Sequence, residues 1–160
     1  MVINEVLAHS HADASDWIEL HNTTNNAIDI GGWFISDSEE HLFKYEIADG
    51  TIIGPDEYLV LYQDLQFGNP DNPNSHEAFA LSENGETLSL SSTQNGVQTG
   101  YRDVEDFGPS ATGVSFGRYY RSSTDNYNFV ALERITPGSA NAGPKVGPLV
   151  ISEIMYNPDW

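Results

Sequence analysis

The hydrophobic positions of this chain come in short runs separated by turn residues, and no stretch sustains the period of an amphipathic helix. The runs predict strands at Val2–Ala8, Asp16–Asn22, Trp33–Asp37, Leu42–Ile47, Tyr58–Gln63, Ala78–Leu81, Thr87–Ser91, Val97–Val104, Val114–Tyr119 and Asn128–Leu132. Between them lie Gly31-Gly32, Asp49-Gly50, Gly54-Pro55-Asp56, Asn84-Gly85 and Asn95-Gly96. Asn-Gly and Asp-Gly reach positive φ at little cost, which marks tight hairpins. The pattern predicts an all-β chain, an antiparallel β-sandwich whose alternate residues fill one core. Leu59 and Leu61 face one way, and Tyr58, Val60 and Tyr62 the other. Leu88 and Leu90 alternate with small polar residues, as a half-exposed strand should. Residues 66–75, rich in Asn and Pro, read as a long irregular loop, the most permissive place for added function.

Near the carboxyl end the opening pattern returns. Leu149-Val150-Ile151-Ser152-Glu153-Ile154-Met155 repeats Val2-Ile3-Asn4-Glu5-Val6-Leu7, with a glutamate at the same place. A segment that reappears after a domain's length predicts a tandem array. The expected organisation is one module over 1–142, a linker over 143–148 stiffened by proline, and the first strand of a second copy over 149–160.

The composition narrows the partners. Twenty-four acids against six Lys and Arg give a formal charge of −18. That surface repels nucleic acid, whose binding needs clustered cations, and repels anionic bilayers for the same reason. No apolar run reaches the length of a membrane span, so membrane insertion is not expected. The absence of cysteine removes disulfides and thiolate metal sites.

Several motifs together resemble the lamin tail domain, an immunoglobulin-like sandwich, in its bacterial form. They are Val2-Ile3-Asn4-Glu5-Val6, Asp16-Trp17-Ile18-Glu19-Leu20-His21-Asn22, Ile30-Gly31-Gly32-Trp33-Phe34-Ile35-Ser36-Asp37, Gly54-Pro55-Asp56-Glu57-Tyr58-Leu59-Val60-Leu61, Phe79-Ala80-Leu81-Ser82-Glu83-Asn84-Gly85-Glu86-Thr87-Leu88, Val114-Ser115-Phe116-Gly117-Arg118-Tyr119 and Thr136-Pro137-Gly138-Ser139-Ala140-Asn141. The resemblance implies a non-catalytic accessory domain. Its bacterial members are extracellular modules found in tandem or beside other domains, whereas nuclear members are attached to a coiled-coil rod. This chain shows no heptads, basic localisation run or terminal prenylation motif.

The first hairpin carries the most pointed electrostatics. If the loop His9–Ser15 joins its strands in simple register, Ala8 faces Asp16 and Glu5 faces Glu19. Two carboxylates so placed repel unless something stands between them. One resolution is calcium, held by Glu5, Asp13, Asp16, Glu19 and Asp37 as an all-oxygen site. The other is Arg118 as a bidentate partner, or plain solvation. His9, His11, His21 and His41 read as surface histidines rather than a zinc or copper site. Asp71-Asn72-Pro73-Asn74 lacks the glycine and distal glutamate of an EF-hand. Asn22-Thr23-Thr24 fits a glycosylation sequon, relevant only in a eukaryotic secretory setting. No Gly-x-Ser-x-Gly elbow or phosphate loop is present. Tyr119, Tyr120 and Tyr127 flank a polar loop and form either sheet packing or a surface on which sugar rings stack.

These features favour a non-enzymatic interaction or spacer module, secreted or on a cell surface. Its expected partners are neighbouring domains of the same polypeptide and a surface polymer or protein. The alternative is a calcium-stabilised carbohydrate-binding module.

Overall fold

In a computed structural model, which describes residues 1–147, eleven strands form and every pairing between them is antiparallel. They are β1 (Val2–Leu7), β2 (Trp17–His21), β3 (Ile28–Asp29), β4 (Phe34–Ser36), β5 (Tyr45–Glu46), β6 (Ile52–Ile53), β7 (Tyr58–Tyr62), β8 (Glu86–Gln94), β9 (Val97–Phe107), β10 (Phe116–Arg121) and β11 (Asn126–Ala131). One sheet has the order β11-β10-β1-β2-β7 and a second the order β5-β4-β8-β9, with β3 and β6 forming a small ribbon. The expected restart over 149–160 lies outside the described residues.

The core joins the two larger sheets. Ile3, Val6, Ile18, Leu20 and Leu61 come from the first, and Ile35, Leu88, Leu90 and Phe107 from the second. Each of these side chains is removed from water, the main driving force of the fold. The predicted hairpin at Asn95-Gly96 forms as the dipeptide requires, with φ of 53° and 74° linking β8 to β9.

Three expectations are corrected. Ala78–Leu81 is not a strand; its link to the irregular segment before it is one backbone bond, from Phe79 N to Phe67 O at 3.1 Å. The loop 66–75 is not a free surface feature either, because Phe67 is fully buried and stacks on Phe79 at 4.9 Å between ring centres. Nor is β8 half exposed: Ser89, Ser91 and Ser92 are buried as completely as its leucines. Ser92 is satisfied by Thr99 Oγ1 at 2.6 Å and the Tyr101 carbonyl at 3.2 Å, so a polar pattern here conceals a covered face.

The first hairpin keeps the simple register at its loop end, with Leu7 opposite Trp17, Val6 opposite Ile18 and Glu5 opposite Glu19. Beyond Glu5 the register shifts by one, to Ile3 opposite Leu20 and Val2 opposite His21. Asn4 is the extra residue of this bulge. Since Val6 and Ile18 point into the core, Glu5 and Glu19 must point outward, onto the far face of the five-stranded sheet.

Candidate functional site

That outward face does not stay open at Glu5 and Glu19. Both are fully buried, because the chain after β11 folds back across them. Glu5 Oε1 accepts hydrogen bonds from Ser115 Oγ at 2.6 Å and from Thr136 N at 3.0 Å, and Oε2 accepts the Thr136 hydroxyl. Glu19 accepts from Asn4 Nδ2 at 2.7 Å and from the backbone N–H of Gly138. Asn4 also donates to Asn141 Oδ1 at 2.8 Å, and Asn141 Nδ2 returns bonds to the carbonyls of Asn4 and Arg118, both at 3.0 Å. Thr136-Pro137-Gly138-Ser139-Ala140-Asn141 therefore forms a strap over the acids, delivering fixed donors where two buried charges need them. A Cβ at Gly117, opposite Glu5, would lie 2.7 Å from Leu132 Cδ1 and 2.8 Å from Asn141 Nδ2, so only glycine lets the strap lie this close.

Burial, together with the neighbouring Glu5 charge, pushes the Glu19 carboxyl up to about 7, although the Gly138 and Asn4 donors pull the other way.

The residues expected to gather around the acids do not. Asp13 is exposed in the hairpin loop, and Asp16 accepts from Ser10 N at 2.8 Å. Asp37 follows β4 in the other sheet, where Lys44 Nζ lies 2.9 Å from its Oδ1. Among the described residues, no three His, Cys, Asp or Glu side chains are grouped as metal ligands. Arg118 is not the partner of Glu5 or Glu19. Gly117 stands opposite Glu5, so the next residue projects from the other side of β10, where Arg118 Nη1 meets Glu105 Oε1 at 3.0 Å. Asn22 is likewise no accessible sequon: it is fully buried and donates to the carbonyls of Asn26, Ile53 and Gly54. Its bonds tie the turn after β2 to the β6–β7 connection.

Beside the strap lies an open cleft of about 620 Å³. Tyr58, Tyr119, Tyr120 and Tyr127 line it, with Asn4, the last two residues of the strap and the two that follow, Ala142 and Gly143. Tyr120 and Tyr127 are cross-strand partners with ring centres 5.4 Å apart, and strand alternation sends Tyr119 to the other side of the β10–β11 ribbon. Tyr119, Tyr120 and Tyr127 are 40%, 47% and 51% exposed, too open to be core residues. His21 stacks flat on Tyr58 at 4.1 Å and meets Asp56 at 2.9 Å, while Arg118 lies 4.5 Å over Tyr127. The hydroxyl of Tyr120 donates to Asp125 at 2.7 Å, which raises that phenol above its ordinary range.

Sequence reasoning missed Asn4, Tyr58, Thr136, Gly138 and Asn141 as parts of the site. A polar asparagine inside a hydrophobic strand was the available sign of the bulge. The strap's donors are largely backbone groups, which leave no trace in residue type.

A two-sheet antiparallel sandwich of this order is an immunoglobulin-like domain. The chain belongs to the lamin tail domain family, whose model matches residues 1–104. The match ends within β9, so Gly117, Thr136, Gly138 and three of the four cleft tyrosines lie beyond it. Comparisons with curated proteins and with solved structures returned no significant match.

Proposed function

We propose that this chain is a non-catalytic interaction module of a larger extracellular bacterial protein, in which copies of the domain follow one another. One observation carries the reading: the cleft beside the strap presents rings and hydroxyls, while the buried acids next to it are committed to holding the strap. Its two ionisable nitrogen bases, Arg118 and His21, already face Glu105 and Asp56. Nothing in the cleft is arranged as a nucleophile with its base or as a pair of opposed carboxylates, so binding is the chemistry it suits. The repeated Leu149–Met155 motif supports the tandem arrangement, and the family's fold supports an accessory role. The partners are neighbouring domains and a surface polymer or protein. A second reading, the calcium-stabilised carbohydrate-binding module, is favoured only in its carbohydrate half, by the tyrosine rings.

The test compares the wild-type chain with a Tyr119→Ala/Tyr127→Ala double variant. Bacterial envelope material should retain the first at least tenfold better, with both melting alike. Substrate turnover abolished by one cleft substitution would overturn the non-catalytic reading, and equal retention would remove the cleft from it.

A further inference from the structure

The cleft is electrically quiet on a chain that is otherwise strongly acidic. With a formal charge of −18, a binding surface chosen at random would present unpaired carboxylates. Here no Asp or Glu lines the cavity. The arginine and the histidine that do are paired with Glu105 at 3.0 Å and Asp56 at 2.9 Å, neither of which lines it. What remains for a ligand is the faces of Tyr58, Tyr119, Tyr120 and Tyr127 and the hydroxyls of Tyr58, Tyr119, Tyr127 and Thr23. Those hydroxyls have no hydrogen-bond partner among the described residues.

A ligand suited to this lining has flat apolar faces edged with neutral hydrogen-bonding groups, and carries no charge. Sugar rings meet that description: their C–H faces lie on aromatic rings, and their hydroxyls exchange hydrogen bonds with phenols. We propose that the cleft binds a neutral polysaccharide chain that bends over the β10–β11 tip, meeting Tyr58 and Tyr119 on the strap side and Tyr120 and Tyr127 on the other. The open form of the cavity suits a segment within a longer chain rather than a small molecule held on all sides. The strap sets the width of the site, since Ala140–Gly143 form one of its walls. Asn4 is held by Glu19 and Asn141, and Asn141 by Asn4 and the Arg118 carbonyl, so that wall is fastened before any ligand arrives. The proposal rests on the interaction-module reading and deepens it by naming the ligand class.

Affinity electrophoresis of the intact chain tests this, in gels containing a neutral glucan, xylan, mannan or soluble chitin derivative, or anionic pectin. At least one neutral polymer should retard it, and Tyr119→Ala and Tyr127→Ala should each weaken that retardation at least tenfold. Tyr62→Ala, an exposed tyrosine of the same sheet outside the cleft, should not. Retardation should persist in high salt, because no charge takes part. Indifference to all the neutral polymers would overturn the proposal, as would equal retardation of the cleft variants or salt-sensitive preference for pectin. A proline-rich peptide, which also docks on aromatic grooves, is titrated in parallel. Cleft-dependent binding of that peptide without any glycan would remove the sugar and leave the interaction module standing.

Discussion

The outer face of the five-stranded sheet has two halves with opposite fates. At Glu5 and Glu19 it is roofed by the strap, and the polar groups beneath are saturated by donors from Ser115, Thr136, Gly138 and Asn4. At Tyr58 and Tyr119 the same face borders the open cleft, and Tyr119 is 40% exposed. The covered half holds the groups that look most reactive in the sequence, yet their charges serve to hold a loop. The open half holds neutral rings, and it is there that a partner finds free surface. Charge in a β-sandwich can thus mark a structural fastening as readily as a site.

Removing Glu5 should break the contrast most severely. Glu5→Ala leaves the Ser115 hydroxyl, the Thr136 N–H and the Thr136 hydroxyl without an acceptor in a buried setting, and opens a cavity. Orphaned buried donors cost about 1–3 kcal/mol each, and relief of repulsion with Glu19 offsets part of that. A net loss of at least about 3 kcal/mol in urea unfolding is expected. Glycan binding should fall with it, because the strap walls the cleft. A loss below about 1 kcal/mol would mean that the donors are re-satisfied and that Glu5 does not hold the strap.

The same half should make the domain prefer mild acid. Glu19 titrates near 7 when folded, against 4.5 for a free glutamate. The folded state therefore binds more protons at Glu19 between those values, and the stabilisation this proton contributes is full below pH 4.5 and lost as pH rises through 7. The shift corresponds to roughly 3 kcal/mol, an order-of-magnitude figure. Glu86 and Glu105 are also raised, chiefly by burial, and act in the same direction. Urea midpoints should fall from pH 5 to pH 8, and Glu19→Gln should flatten much of that slope. A midpoint that climbs over this interval would contradict the assignment.

How legible each half was in the sequence follows from what builds it. The facing of Glu5 and Glu19 could be read, because a short hairpin in simple register permits only one pairing. Their burial could not. Apart from Asn4, the donors come from residues more than a hundred positions away, and two of them are backbone N–H groups that any residue carries. Arg118 was a natural partner by charge, but a single step along β10 turns it to the opposite side of the sheet. The tyrosines at the β10–β11 tip were visible as a cluster, whereas Tyr58 joins them only through the sheet order β10-β1-β2-β7. The serines of β8 misled for a related reason: alternation reports polarity, and a polar face can still be covered, as at Ser92, whose hydroxyl is bonded to Thr99 and Tyr101.

A milder perturbation tests whether the strap's backbone shape matters as well as its contacts. Gly138 has a φ of 76°, in the left-handed region, and a Cβ there would meet nothing within 4 Å. Gly138→Ala should therefore cost only the backbone strain, about 1–2 kcal/mol, without a clash. A larger loss in urea unfolding would show that the donor to Glu19 had moved.

Calcium should have the smallest effect of all. A cation between Glu5 and Glu19 would have to displace the Thr136 and Gly138 donors, and the strap with them. The remaining carboxylates of the five-residue set are scattered: Asp16 is engaged by Ser10, Asp37 by Lys44, and Asp13 is out in the loop. A ligand that binds only the folded state raises its stability in proportion to RT ln(1 + [L]/Kd). With no assembled set of oxygens, millimolar calcium should leave the melting temperature where a chelator leaves it. A calcium-dependent rise that disappears in Glu5→Gln would reverse this, because it would require an ion to compete successfully with the strap for the same two carboxylates.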